Sequence, residues 1–411
     1  MSGGQPPAPL ARSDAPPGAP PPGPLAPLPL RRLGRSPVHV TELSFGGAAI
    51  GNLFTEVSEQ DARAAVDAAW DGGIRTFDTA PHYGLGLSER RLGDALRHRP
   101  RDEYVICTKV GRLLDPGPPA PPAGGQAGSG AAGSGAAGSG AAGEGLLGNG
   151  QAGSGPAGGG PGRDGQVSGA APGSDTEGFA VSARYVRRFD FSADGITRSL
   201  EASLARLGLD RVDIALIHDP DDHAEQAFRE AYPALEKLRA AGVVRAIGAG
   251  MNQAEMLTRF VTDTDVDVVL VAGRYTLLDQ SAAAELLPAA LRRGVSVIAG
   301  GVFNSGLLAA PAEGATYDYQ AAPAGLIERA RRLQEACARF GVPLRAAAAR
   351  FPLTDPAVAS VLIGARNAAE ITDAIQLRGV DIPAALWDAL SEETAAGRGP
   401  HTADASKEGQ L

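Results

Sequence analysis

The sequence predicts an α/β fold in which eight parallel strands, each followed by a helix, close into a (β/α)8 TIM barrel. Three observations support this prediction. Eight short runs rich in β-branched residues recur along the chain, amphipathic helical stretches separate them, and the runs are apolar nearly throughout. Strands that are apolar on both faces are typical of a parallel sheet covered by helices, and the count of eight favours a closed barrel.

The strand and helix candidates alternate regularly. The strands are a first run over 40–45, then IRTFD (74–78), YVICTK (104–109), VDIALIH (212–218), VRAIGA (244–249), VDVVLVA (266–272), VSVIAG (295–300) and VASVLI (358–363). The clearest helix start is Ser58, a hydroxyl N-cap with Asp61 three residues on. Further helices are predicted over 89–96, 196–207, 227–240, 254–260, 283–293, 326–340 and 369–377.

The main alternative fold is a Rossmann fold, which requires a GxGxxG turn between its first strand and helix. The segment LSFGGAAIGN instead carries Gly46, Gly47 and Gly51, and their spacing does not match that fingerprint. An acid at the end of a second strand, about 20 residues on, is also missing from the usual register. The barrel is therefore the favoured fold.

Segments of small residues and proline flank and interrupt the barrel. Residues 1–29 are rich in Pro and Ala, and residues 116–178 contain a repeated GSGAA. Such side chains bury too little apolar area to offset chain ordering, which predicts a disordered N-terminal tail and a flexible low-complexity insertion. The barrel then spans 30–396, and 397–411 forms a flexible C-terminal tail. Because long surface loops cost little per added residue, we predict that trimming 118–176 leaves fold and turnover largely intact.

Charge and cysteine content exclude several functional classes. The chain has 411 residues with 38 Lys+Arg against 47 Asp+Glu, a net charge of −9, which argues against a nucleic-acid binder. Cys107 and Cys337 are too few for a disulfide framework and indicate reduced thiols in a cytoplasmic protein. No signal-like apolar stretch or window of about 18 apolar residues is present, so no membrane association is expected. Nothing in the sequence specifies an oligomeric state.

Four side chains are expected to meet at the carboxyl ends of the strands, where barrels of this kind place their active sites. Asp78, Lys109 and His218 end the second, third and fourth runs, and Tyr83 follows Asp78 in the next loop. A tyrosine hydroxyl titrates at about 10, and a neighbouring ammonium lowers that pKa. Lys109, held by Asp78, can therefore prepare Tyr83 to exchange a proton with a substrate oxygen that His218 orients. Such a group suits hydride transfer to or from a carbonyl carbon.

These residues stand in motifs that resemble the aldo-keto reductases: RTFDTAPHYGLGLSERRLGDAL, ICTKVGR, SLEASLARLGLDRVDIALIHDP, LRAAGVVRAIGAG and VLIGARNAAEI. The resemblance covers the chain from about Leu30 to Ala395 outside the insertion. It implies an NAD(P)-dependent (β/α)8 oxidoreductase whose catalytic tetrad is Asp78, Tyr83, Lys109 and His218. Within the family, LIHDPDD, VAGRYTLLDQ and IAGGVFNSGLL resemble the branch of D-threo-aldose (L-fucose) 1-dehydrogenases and pyridoxal 4-dehydrogenases. That branch implies oxidation of an aldose or a related alcohol.

The resemblance also implies where a nicotinamide coenzyme binds. Asn252 is the candidate for holding the nicotinamide carboxamide, and Phe303 is expected to cover the ring because Gly300 replaces the usual stacking aromatic. The phosphates are expected at the loop FNSGLL (303–308) and the segment GARNAAE (364–370). The cofactor-binding candidates are Gly47, Asn252, Gly301, Phe303, Ser305, Gly306, Leu307, Gly364, Arg366, Asn367 and Glu370.

The coenzyme preference rests on Glu370, which stands where NADP-preferring relatives carry a basic residue. A carboxylate repels a 2′-phosphate but can accept a hydrogen bond from a free 2′-hydroxyl, so NAD is predicted. Because Arg366 lies nearby and a guanidinium can bind a phosphate, NADP remains the alternative coenzyme. The substrate is expected to be a small sugar or carbonyl compound, with pocket walls from Phe54, Asp219 and Tyr275.

Three other functions were weighed against the aldose dehydrogenase. An NADPH-dependent carbonyl reductase would run the reaction in the other direction. A nucleotide-sensing subunit, similar to the channel-associated members of the family, would bind coenzyme without turnover. A metal-dependent barrel hydrolase is suggested by HDPDDH (218–223), but other strand ends offer no complementary ligands, so no metal site is predicted.

Overall fold

The computed structural model describes residues 27–117, 175, 177–318 and 320–396. The predicted C-terminal tail lies outside these residues, as do 1–26 of the predicted N-terminal tail and 118–174 and 176 of the predicted insertion. Within the described part of the chain, no helix has both the length and the apolar composition needed to span a bilayer.

Eight parallel strands form a closed barrel, so the predicted (β/α)8 TIM barrel is confirmed. Each strand is hydrogen-bonded to the next along the chain, and the last strand pairs with the first. The strands are β1 (Leu43–Gly46), β2 (Thr76–Asp78), β3 (Val105–Val110), β4 (Ile214–His218), β5 (Ala246–Met251), β6 (Val268–Ala272), β7 (Ser296–Gly300) and β8 (Val358–Gly364).

Helices follow the strands and cover the outside of the barrel, packing through two apolar clusters. They are α1 (Glu59–Asp71), α2 (Leu87–Leu96), α3 (Ala193–Leu207), α4 (Tyr232–Ala240), α5 (Ala254–Asp263), α6 (Leu286–Arg293), α7 (Ala324–Arg339), α8 (Leu344–Arg350), α9 (Ala368–Leu377) and α10 (Ala384–Ala396). The Ser58 hydroxyl accepts from the Asp61 amide at 3.0 Å and caps α1 as predicted. The sequence analysis did not predict α8 and α10. The predicted helix over 227–240 begins as a π-helical turn, Ala227–Ala231, before α4.

The run predicted as one strand over 40–45 belongs to two elements. Leu30–Arg32 and His39–Thr41 form an antiparallel hairpin, and the barrel strand begins only at Leu43. Leu33, Val38 and Val40 of this hairpin are buried against side chains that enter the barrel interior from the amino ends of the strands. The hairpin therefore closes that end of the barrel. Leu28, which was assigned to the tail, is also buried.

A second hairpin follows β3 at the carboxyl end of the barrel. Its strands, Arg112–Pro116 and Tyr185–Phe189, are antiparallel and flank the insertion on both sides. Asp175, Glu177 and Gly178 were assigned to the insertion, but they contact the folded chain through ion pairs and a backbone hydrogen bond. The folded part of the chain therefore resumes before the predicted boundary at residue 178.

A close approach between β5 and β6 gives a test of barrel packing. A Cβ atom at Gly248 would lie 1.6 Å from the Val268 carbonyl oxygen, so the Gly248→Ala substitution must displace barrel backbone. We expect it to lower the free energy of unfolding by at least about 2 kcal/mol. Gly325→Ala in α7 is the control, because no atom lies within 4 Å of the added methyl group. Urea denaturation measures both, and equal stabilities for the two variants would contradict this packing.

Candidate active site

A buried ion pair joins the ends of β2 and β3. Lys109 Nζ donates to both carboxylate oxygens of Asp78, at 2.9 and 2.7 Å, and to the Thr79 carbonyl at 3.1 Å. Both charged side chains are buried. Burial alone would lower the pKa of Lys109, but the charge of Asp78 and its hydrogen bond more than offset it and raise that pKa. Lys109 is therefore an ammonium held by a carboxylate.

Tyr83 and His218 lie against this pair. The Lys109 ammonium is 4.8 Å from the centre of the Tyr83 ring, and the His218 ring centre is 6.0 Å from that of Tyr83 in a nearly perpendicular arrangement. The structure thus brings together the four residues predicted to be catalytic, each from the carboxyl end of a strand or the loop after it.

Two histidines share this region, although only His218 was singled out from the sequence. The rings of His82 and His218 are 5.5 Å apart. Burial, followed by the charge of Arg112, lowers the pKa of both imidazoles well below the ordinary value. Nδ1 of His218 is buried without a hydrogen-bond partner among the described residues, and its Nε2 lies 3.4 Å from an Asp219 carboxylate oxygen. Both rings are therefore neutral at physiological pH.

A cavity of about 270 Å³ opens beside Tyr83 at the carboxyl ends of the strands. Lys109 and His218 are buried next to Tyr83 and do not line the cavity. A larger cavity, of about 320 Å³, lies near Trp387 of α10 and contains no predicted site residue. The predicted residues that line the cavity beside Tyr83 are Phe54, Asp78, Tyr83, Asn252, Gly301, Phe303, Ser305, Gly306 and Gly364.

The lining of this cavity fits a nicotinamide ring. Leu270, Ala272 and Gly300 give it an apolar surface. Asn304, also in the lining, is buried; its Nδ2 donates to the Gly273 carbonyl at 3.3 Å, and its Oδ1 has no partner within the described chain. A buried acceptor beside an apolar surface suits a flat ring that carries an amide. Asn304 lies in the loop FNSGLL, where the phosphates were predicted, but was not itself a predicted cofactor-binding residue.

Backbone strain is concentrated in the loops around the cavity. Phe54, Asp219, Asn304 and Ser305 have φ angles of 61°, 39°, 45° and 55°, in the left-handed region that disfavours side chains. Such residues persist where surrounding contacts fix them, and they are frequent at functional sites.

Three predicted site residues, Gly47, Leu307 and Tyr275, do not line this cavity. The Gly47 amide donates to the Asp78 carbonyl at 2.8 Å, and a Cβ there would meet the Ser88 hydroxyl at 2.5 Å. Leu307 is fully buried in the apolar cluster under α7 and α10. The Tyr275 ring packs on Phe351, with ring centres 5.1 Å apart, and does not line the cavity. The predicted substrate contact of Tyr275 stays a prediction.

The predicted ribose and phosphate residues lie at the start of α9. The Asn367 side chain accepts from the Glu370 amide at 3.0 Å and caps the helix. Glu370 accepts from the Arg366 backbone amide at 2.8 Å and from its guanidinium at 2.9 and 2.6 Å. None of the three lines the cavity. The Glu370 carboxylate is thus already paired with Arg366.

The rim beside Tyr83 carries charged residues that the sequence analysis did not identify. Arg112 donates to Asp219 at 2.6 Å and lies 3.2 Å from Nδ1 of His82. Glu177 lies 3.6 Å from Arg112 and 3.4 Å from the same histidine nitrogen. His82 and Arg112 stand inside the quoted motifs, but no pattern marks Glu177. No group of three His, Cys, Asp or Glu in the described residues is arranged to hold a metal ion.

Similarity to known proteins extends over most of the chain. D-threo-aldose 1-dehydrogenase of Pseudomonas sp is 41% identical over 357 residues, covering 86% of this chain and 94% of that protein. Pyridoxal 4-dehydrogenase of Microbacterium luteolum is 37% identical over 376 residues, covering 88% of this chain and 96% of that protein. An aldo-keto reductase structure from Bacillus halodurans superposes with a TM-score of 0.62 at 21% identity, covering 89% of this chain and 96% of that one.

The family assignment rests on a match that spans most of the barrel. A model of the Aldo/keto reductase family matches residues 42–135 and 170–392. Both dehydrogenases are more than one-third identical to this chain in sequence over nearly their full lengths. This chain therefore belongs to the aldo/keto reductase family and is an oxidoreductase enzyme.

Proposed function

We propose that the protein is an aldose 1-dehydrogenase that oxidises the anomeric hydroxyl of a sugar, or a related alcohol, with a nicotinamide coenzyme. The observation that carries the proposal is the Asp78–Lys109 pair with Tyr83 against it at the edge of the cavity. The substrate class is supported by the names of two relatives, D-threo-aldose 1-dehydrogenase and pyridoxal 4-dehydrogenase.

The side chains have separate tasks in this proposal. Tyr83 Oη takes the proton of the substrate hydroxyl as hydride leaves the carbon, and returns it in the reverse direction. The Lys109 ammonium favours the phenolate form of Tyr83, and Asp78 keeps that ammonium charged and in place. Neutral His218, buried against Tyr83, is proposed to hydrogen-bond and orient the substrate oxygen at the point where that oxygen reaches Tyr83. Bound coenzyme supplies the hydride acceptor.

The coenzyme proposal is NAD, and it is supported by the charge at the start of α9. Glu370 neutralises Arg366, with one carboxylate oxygen accepting from two guanidinium nitrogens, so this guanidinium is not free to meet a 2′-phosphate. The carboxylate itself would repel such a phosphate. Asn252 and Asn304, both in the cavity lining, are proposed to hold the nicotinamide amide.

The proton-transfer role is tested with Tyr83→Phe. Reduced coenzyme is followed by its near-ultraviolet absorbance with NAD or NADP over L-fucose, D-arabinose, pyridoxal and simple alcohols. We expect wild-type turnover with a sugar and a loss of at least about 100-fold in the variant, because the hydroxyl is the proton acceptor. Coenzyme binding, measured by fluorescence, is expected to persist. Tyr185→Phe, on the exposed hairpin strand, is the matched control.

Two results would contradict this role. Full turnover in Tyr83→Phe would remove the proposed acid and base. Coenzyme binding by the wild type without turnover of any substrate, in either direction, would favour the nucleotide-sensing function instead.

The coenzyme preference is tested with Glu370→Gln. Removing the carboxylate charge releases Arg366, so the efficiency with NADP relative to NAD is expected to rise by about tenfold. The measurement is kcat/KM for both coenzymes at saturating sugar. Glu328→Gln, on the exposed face of α7, is the control and should leave the ratio unchanged. A wild type that prefers NADP, or an unchanged ratio in Glu370→Gln, would overturn the preference.

The neutral imidazoles predict a pH dependence of stability. The folded state lowers the pKa of His82, so the unfolded chain binds the additional proton once the pH falls below about 6.5. Stability is therefore lost as the pH falls. Between about pH 7.5 and 5.5, wild type should lose on the order of 1 kcal/mol more than His82→Asn. Urea denaturation at both pH values measures this, with the exposed His98→Asn as control; a parallel loss in wild type and His82→Asn would contradict it.

A further inference from the structure

The chain that returns from the insertion is joined to the loop after β1. This return segment consists of Asp175 and residues 177–181. The Phe54 amide donates to the Gly178 carbonyl, and the Ala180 amide donates to the Asn52 carbonyl, both at 2.8 Å. The Asn52 side chain adds a hydrogen bond to the Ala180 carbonyl at 3.1 Å. The return segment is therefore tied to the loop that carries Phe54 into the cavity.

Phe179 of the return segment lies on the Tyr83 ring. The two ring centres are 6.1 Å apart with an angle of 29° between the planes. The same phenyl ring meets the His82 ring edge to face at 5.1 Å. Phe179 is buried and does not line the cavity, so it reaches the chemistry only through the residues that it contacts.

A buried ion pair anchors the return segment. Arg187 of the hairpin strand is paired with Asp175, and both side chains are more than nine-tenths buried. Arg187 donates to both Asp175 oxygens, and one of these oxygens also accepts from the Phe179 amide at 3.3 Å. The Arg187 guanidinium also donates to the His82 carbonyl at 3.0 Å. One guanidinium thus fixes both the segment that carries Phe179 and the backbone next to Tyr83.

We propose that the return segment is a brace that positions Tyr83 for proton transfer, with Phe179 as the positioning residue and Arg187–Asp175 as its anchor. The physical reason is that a proton-transfer group must be held within a fraction of an ångström of its productive position. Lys109 and His218 contact Tyr83 from the barrel, and Phe179 contacts it from the rim. This inference rests on the proposed function, since it assigns Tyr83 the proton.

The brace also changes which residues can be removed from the insertion. Asp175 lies inside the range 118–176 that the sequence analysis expected to be dispensable. Because Asp175 pairs with Arg187 and accepts from the Phe179 amide, a trimmed chain must keep it. The range expected to be dispensable therefore ends at residue 174.

The brace is tested on the full-length protein with Phe179→Ala and Phe179→Leu. We expect Phe179→Ala to lower kcat by about 10- to 100-fold while sugar KM and coenzyme affinity change by less than about threefold. Phe179→Leu, which retains apolar volume, should recover part of the loss. Tyr185→Ala removes an aromatic side chain from the exposed hairpin strand that follows the return segment, and it should match wild type.

A second measurement does not need turnover. In protein with carbon-13 at the tyrosine Cζ atoms, the Tyr83 resonance is assigned among the seven tyrosines by its loss in Tyr83→Phe. We expect this resonance to move in Phe179→Ala, because the stacked ring is lost, and to stay in place in Tyr185→Ala.

The outcomes separate this inference from the proposed function. Wild-type kcat together with an unmoved Tyr83 resonance in Phe179→Ala overturns the brace, whereas a loss in kcat with a moved resonance supports it. If the wild type oxidises no substrate, the proposed function fails, and the resonance alone decides whether Phe179 positions Tyr83. A loss of thermal stability with unchanged kcat, measured well below the melting temperature, shows a purely structural role and also overturns the brace.

Discussion

The ion pair between Lys109 and Asp78 is the interaction on which the rest of the site depends. An ammonium taken out of water is costly, and only a carboxylate in direct contact makes its burial tolerable. Lys109 meets both Asp78 oxygens because β2 and β3 are neighbours in the barrel, with Asp78 opposite Cys107 in the register. The closure of the barrel therefore creates the electrostatic setting in which Tyr83 lies.

Burial, and after it the charge of nearby cations, explains why the neighbouring imidazoles are neutral. Lys109 and Arg112 place two positive charges near His82 and His218, and a third charge on either ring would be both desolvated and repelled. A neutral ring can donate one hydrogen bond and accept another, which an imidazolium cannot do. Burial and the cations led by Arg112 thus set the hydrogen-bonding character of both histidines.

Much of the barrel could be predicted from the sequence because burial on both faces leaves a local signal. Runs such as VDVVLVA need no distant information to be recognised as buried strands, and Ser58 marks a helix start by itself. The first strand was misjudged because the apolar run over 40–45 continues from a hairpin strand into the barrel strand. Local pattern does not show where one sheet ends and the next begins.

The site residues also divide into those that the local sequence could place and those that it could not. Asp78, Lys109, His218 and Tyr83 were predictable because strand ends in a barrel meet at one face. The surroundings of Tyr275 could not be predicted, because its ring packs on Phe351, a residue far away in the sequence; its substrate contact stays a prediction. The return segment was missed because Asp175 adjoins a low-complexity stretch. Only its ion pair with Arg187 of the hairpin shows that it belongs to the folded chain.

The cavity lining and the loops at its rim differ in where substrate selectivity can arise. One side of the cavity is lined by Gly300, Gly301, Gly306 and Gly364. At Gly301 and Gly306 the positive φ angles mean that a side chain would strain the loop. The rim is formed by side chains on long connections, including Phe54 and the pair of Arg112 with Asp219. Side chains on loops can change without opening the barrel. If the brace holds Tyr83, the rim fixes the position of the proton acceptor as well as the shape of the entrance, so a change in the rim alters rate and selectivity together.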